Sequence, residues 1–199
     1  ANTDTSSATT TRMTYYGNRG IFAGGFSSPP SSYKNIIDYI TIDTVAETAT
    51  DFGDLNNSVI QPAAVSNGTR GVIGGGEAPT GNINVLDFIT IASTGNASDY
   101  GDLNNAAGYL SGDSDGNRGF FAGGQTPTAR LDAIDFISIS VAANATDFGE
   151  LTVTRSQLSA TSNGSRGIFA GGQSPTATAV NNIQYINIPI TGKGTDFGD

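Results

Sequence analysis

The chain has 199 residues, 37% of them hydrophobic and only 14% charged, with 27 glycines and no cysteine, histidine or tryptophan. A net charge of −9 disfavours nucleic acid as a partner, and the missing Cys and His remove disulfides, thiolate zinc sites and every Ser-His or Cys-His relay. There is no apolar run of the ~18 residues a membrane span needs and no Gly-free apolar stripe at helical spacing, so neither membrane insertion nor long helices are expected.

The first clear element is RGIFAGG at 19–25, a short strand closed by a double glycine where a side chain would block a turn or a close approach. After a proline loop comes IIDYITID at 36–43. It is apolar on both faces, as a strand stacked between sheets must be. An acidic-aromatic-glycine-acidic box follows, DFGD at 51–54, and then a segment of small residues, QPAAVSN, that leads into RGVIGGG at 70–76. From there the order repeats. RGFFAGG (118–124) and RGIFAGG (166–172) start further rounds, with the apolar strands VLDFITIA (85–92), AIDFISIS (133–140) and NIQYINIP (182–189). The boxes DYGD, DFGE and DFGD recur at 99–102, 147–150 and 196–199, and equivalent positions lie 48–51 residues apart.

Four strands in such a unit, repeated four times, are expected to form an all-β protein: a β-propeller of four kelch-like four-stranded antiparallel blades. One blade cannot bury two apolar faces, so each must pack on neighbours. The Ala/Ser/Gly-rich segment, the last strand of a unit by position, suits the innermost place. A single domain over 1–199 is expected, with blades near 4–54, 55–102, 103–150 and 151–199. Asp199 ends its box one position before the leucine that starts each unit at Leu55, Leu103 and Leu151. This register predicts that the ring closes by packing the first blade on the fourth, with Asp4 near Asp199. The alternatives are two chains in an eight-bladed ring or a piece of a longer array.

The order of RG strand, double glycine, apolar strand and aromatic box resembles the kelch repeat over essentially the whole chain. Phe52, Tyr100, Phe148 and Phe197 stand where that repeat usually has tryptophan. The closer resemblance, carried by residues 19–55, is to kelch-like arrays in virion and tail-fibre proteins of marine bacteriophages. It implies a non-enzymatic structural or receptor-binding module of a virion or other extracellular surface, within a larger assembly.

Four of the seven arginines, Arg19, Arg70, Arg118 and Arg166, occupy the RG position, and the apolar strands carry Asp38, Asp87 and Asp135, with Gln184 in the fourth. A charge among isoleucines must be paired, so a repeated structural arginine–acid contact is expected, with a ring of ligand-gripping arginines as the alternative. The box acids Asp51, Asp99, Asp147 and Asp196 raise calcium binding or a glycosidase carboxylate pair, but a catalytic pair is needed once and these recur four times. They read as turn chemistry, with Gly supplying a positive φ. DFG without a kinase catalytic loop and GVIGGG without a following GK[ST] are fortuitous matches. In GDSDGN, Asp113, Asp115 and Asn117 imitate the first half of a calcium loop without its closing glutamate, against the plainer reading of a polar turn; no cofactor is expected otherwise.

The loops after the double glycines vary: FSSPPSSYKN, EAPTGNIN, QTPTARLD and QSPTATAVNN. Variable loops on a repeated frame are where binding sits. Tyr33, Lys34 and Arg130 carry their aromatic and cationic side chains and are the expected contacts for a glycan or partner protein. A ligand-free scaffold is the competing reading, and a carboxylate-dependent glycoside hydrolase a weaker one.

Overall fold

The computed structural model describes residues 17–44 and 48–199; Asp4 lies outside them. The described residues contain no helix and form four four-stranded antiparallel sheets and one two-stranded one, Glu77–Ala78 with Gly81–Asn82. The second sheet consists of Ala63–Ser66, Arg70–Gly74, Val85–Thr90 and Ser98–Asp102, the third of Ser111–Ser114, Arg118–Ala122, Ala133–Ser138 and Thr146–Glu150. The fourth repeats the pattern with Ser159–Ser162, Arg166–Ala170, Ile183–Asn187 and Thr195–Gly198. In all three, the strands run through the sheet in chain order. In the first sheet, Arg19–Ala23 and Thr50–Val59 flank Ser32–Thr41, and the short Phe26–Ser27 pairs with the start of that strand.

The small-residue segment therefore opens a sheet instead of closing one, because it pairs with the RG strand that follows it. Its small side chains have a purpose: these inner strands lie next to one another in successive sheets. Ser114 Oγ donates to Ser66 O at 2.8 Å and Ser162 Oγ to Ser114 O at 2.6 Å.

The aromatic box is the outermost strand of each sheet, not a turn. Its register slips by one residue at the aromatic, leaving Phe52, Tyr100, Phe148 and Phe197 unpaired in the ladder as the extra residue of a bulge. The glycine after it holds a positive φ (142° at Gly101). Its second role is space. A Cβ on Gly101 would stand 2.7 Å from the carbonyl of Ala143 in the next sheet, so bare backbone is required there.

The core lies between the sheets. Ile37, Phe52, Leu55 and Val59 pack with Ile73, Ile89 and Ala97 of the second sheet. Val72, Leu86, Tyr100 and Leu103 pack with Phe121, Ile137 and Ile139 of the third. Phe120, Ile134, Phe148 and Leu151 pack with Phe169, Ile186 and Ile188 of the fourth. Each large apolar side chain buried this way contributes roughly 1.5–3 kcal/mol, which explains why a single sheet could not stand alone. Among the described residues no such cluster joins the fourth sheet to the first, so the expected contact that would close the ring is not part of the described structure.

Candidate functional site

The repeated arginines do not meet the repeated acids. Each guanidinium lies over the aromatic ring of its own apolar strand, at 4.4 Å for Arg19 on Tyr39, 4.3 Å for Arg70 on Phe88, 5.3 Å for Arg118 on Phe136 and 4.5 Å for Arg166 on Tyr185. Three of them then reach across to a backbone carbonyl of the following sheet: Arg19 to Ile91 (2.8 Å), Arg70 to Ile139 (3.3 Å) and Arg118 to Ile188 (2.8 Å). The expected arginine–acid pairing is corrected accordingly. A carbonyl at the end of a neighbouring strand accepts the charge, and the adjacent ring face shields it.

The strand acids have a different partner. Asn56 donates to Asp87 through its backbone N–H (2.9 Å) and its side-chain amide (2.6 Å), and Asn104 does the same to Asp135 at 2.9 and 2.6 Å. In the fourth sheet Thr152 N–H donates to Gln184 Oε1 at 2.6 Å. Burial raises the Asp135 carboxyl above its ordinary pKa, the Asn104 bonds oppose this, and Asp147 across the ladder adds to the rise. Asp38 stands at the equivalent place in the first sheet, half-buried, and its carboxylate has no hydrogen-bonding partner among the described residues.

These contacts revise the cost of losing an arginine. Removing Arg118 orphans a carbonyl and a ring contact rather than a buried carboxylate. Arg118→Ala is expected to destabilise by about 1–3 kcal/mol in urea unfolding. A loss of about 3–5 kcal/mol, the range for an orphaned buried charge, would restore the acid pairing.

The calcium-like stretch separates into two parts. Asp115 Oδ1 accepts from the N–H groups of Asn117 (2.7 Å) and Arg118 (2.6 Å), closing the turn into the RG strand. Asn67 and Asn163 close the equivalent turns in the same way, so this turn is itself repeated. Asp113 lies on the inner strand, where burial pushes its carboxyl up to about 6 and only Oδ1 is bonded, to Ser114 N–H. Among the described residues no three acidic groups converge on a point that would hold a metal.

The loops after the double glycines lie side by side. Tyr33 hydroxyl donates to Glu77 at 3.1 Å, linking the first loop to the second, and that carboxylate raises the phenol's pKa. Asn82 donates to Gln125 O at 2.5 Å, linking the second to the third. Arg130 donates to Ser156 Oγ (2.9 Å) and Gln173 Oε1 (3.0 Å), linking the third to the fourth. One edge of the array therefore carries all four variable segments as a continuous surface. Tyr33 and Arg130 serve as ties between loops. Lys34 has no side-chain partner among the described residues.

No protein-family model matches the chain, and no curated protein is significantly similar to it.

A cleft of about 520 Å³ on the loop edge is lined by Gly25, Phe26, Tyr33, Ile60 and Gln61. Phe26 is exposed and meets Tyr33 edge-on, with ring centroids 5.7 Å apart. Sequence reasoning passed over Phe26 because it counts as apolar filling; its place directly after the double glycine was the available signal. A more enclosed cavity of about 270 Å³ lies between the first two sheets, but its lining is largely Ile, Val and Ala, and the one charged group there, Arg19, is already bonded to Ile91.

Sequence reasoning also missed Arg155. It is fully buried, and its guanidinium donates to the carbonyls of Gly171 (3.0 Å), Asn182 (2.9 Å) and Phe169 (3.3 Å). With no carboxylate beside it, burial lowers its pKa. Its three acceptors lie at the double-glycine turn of the fourth sheet, so it is a structural clamp.

Proposed function

We propose that the four sheets are consecutive blades of a kelch-like β-propeller, and that the module is non-enzymatic. It is displayed on a virion or another extracellular surface and binds a cell-surface glycan or partner protein through its loop edge. The reading is carried by one observation: the four segments that differ most between repeats lie side by side on one edge, next to a cleft with an exposed aromatic ring, Phe26. A flat aromatic beside hydrogen-bonding groups suits a sugar ring, which has one apolar face and a polar rim. The missing His and the structural use of the repeated acids favour binding without turnover.

A ligand-free scaffold is the second reading. It is favoured by Tyr33 and Arg130, whose polar atoms are already bonded to neighbouring loops. Glycan-array binding separates the two. The expected result is a restricted set of bound glycans, with binding at least about tenfold weaker in Phe26→Ala and Lys34→Ala, the loss of roughly 1.4 kcal/mol of contact. A blank array together with no protein captured from the host surface would favour the scaffold. Release of sugar, abolished by one Asp→Asn change, would overturn the non-enzymatic assignment.

A further inference from the structure

The three inter-sheet joints are copies of one another, and the two ends of the row carry the two unused halves of the same joint. On the outer side of the fourth sheet, Phe197 is 58% exposed, whereas its equivalents Phe52, Tyr100 and Phe148 are 2–3% exposed. Arg166 has its ring contact but, among the described residues, no carbonyl that accepts from it. Gly172 N–H has no acceptor among the described residues, whereas Gly25, Gly76 and Gly124 donate to Val59, Ala107 and Arg155 of the following unit. Nothing lies within 4 Å of the Cβ position of Gly198, whereas those of Gly53 and Gly101 face the backbone of a neighbouring sheet.

The outer side of the first sheet shows the complement. Ile42 is 64% exposed, while Ile91, Ile139 and Ile188, whose carbonyls receive the arginines, are at most 8% exposed. Phe22 is 58% exposed, while its equivalents Ile73, Phe121 and Phe169 are 5% or less.

We propose that a second copy of this chain docks its first sheet on the fourth sheet of the first copy, extending the existing joint across two molecules. The register assigns the contacts. Arg166 donates to Ile42 O of the second copy, and Phe197 packs against its Phe22 and Ile42, as Arg118 and Phe148 do on the fourth sheet. A second copy fits because the two faces are complementary in kind and stand unpaired at opposite ends of the described row. The contact is heterologous, so it closes into a ring of two or more copies, or continues as a filament if the rotation does not close.

Light scattering over a dilution series tests this, with the chain mass of 20.3 kDa as the unit. The expected result is a particle of at least two chains. Phe197→Asp and Phe22→Asp each place a charge on one face only, at residues already exposed in the single chain, so folding is retained and is checked by circular dichroism. Each variant alone is expected at the single-chain mass. A one-to-one mixture is expected to form two-chain particles, because one undamaged face of each kind remains. A wild-type particle of one chain mass at all concentrations overturns the proposal, as does a larger particle that neither variant reduces.

Discussion

Arg155→Ala is expected to be the most damaging substitution of an arginine in this protein, costing about 3–5 kcal/mol in urea unfolding followed by circular dichroism. Two effects combine. The change empties a fully buried space the size of a long side chain, and at the double-glycine turn it takes the guanidinium donor from Gly171 O and leaves Asn182 O with only Gly171 N–H. Arg155→Met separates them. Methionine fills most of the volume and removes an incompletely bonded charge, since Arg155 Nε has no acceptor, so the Met variant is expected to cost less, about 1–2 kcal/mol. A cost below about 1 kcal/mol for the alanine variant would mean that the site collapses without loss and that the clamp assignment is wrong.

The second large effect is expected at the box glycine. Gly101→Ala combines a φ of 142° that L residues avoid with a Cβ 2.7 Å from the Ala143 carbonyl. The third sheet must retreat, and buried contacts across the joint loosen with it. A loss of about 3 kcal/mol or more follows. Gly198 is the internal control, with a φ of 140° but open space at its Cβ position. In the Phe197→Asp background, where nothing docks on that face, Gly198→Ala is expected to cost only the backbone term, about 1 kcal/mol. Equal costs at the two glycines would show that dihedral strain, and not the approach of the next sheet, requires glycine in the box.

The strands and the all-β class were legible because they are written in side chains: period, double glycines and a recurring aromatic; the sheet that the small-residue strand joins was not. The partners of the arginines were not. Their acceptors are the carbonyls of Ile91, Ile139 and Ile188, and a backbone oxygen leaves no letter in a sequence. The strand acids were half legible. Asn56 and Asn104 precede Asp87 and Asp135 by the same interval, and where the acid becomes Gln184 the asparagine becomes Thr152. A comparable paired change exists at the same joint: Asn144 caps Asp102 N–H in the second joint, and an ion pair of Lys193 with Glu150 at 2.6 Å takes its place in the third. Reading the repeats against one another for joint substitutions, instead of each position singly, would have found both. Arg155 was illegible for the opposite reason. Its equivalents are Val59 and Ala107, so it belongs to no repeated position and its surroundings read as small polar filler.

The serine ladder on the inner strands has a direction. Ser114 donates back to Ser66 and Ser162 back to Ser114, while the arginines donate forward. Every unit thus carries a plug on one side and a socket on the other, joined by the same kinds of arginine and serine contact. In the gene, tandem duplication or loss of one whole repeat by unequal crossing-over leaves every remaining joint as it was, because stability in such arrays is a sum over units and nearest neighbours. Each duplication also sets one more variable loop on the same edge. A lineage carrying this array can lengthen its loop edge in discrete steps and diversify the new loop afterwards, provided that pairs such as Asn104/Asp135 and Thr152/Gln184 change together across a joint.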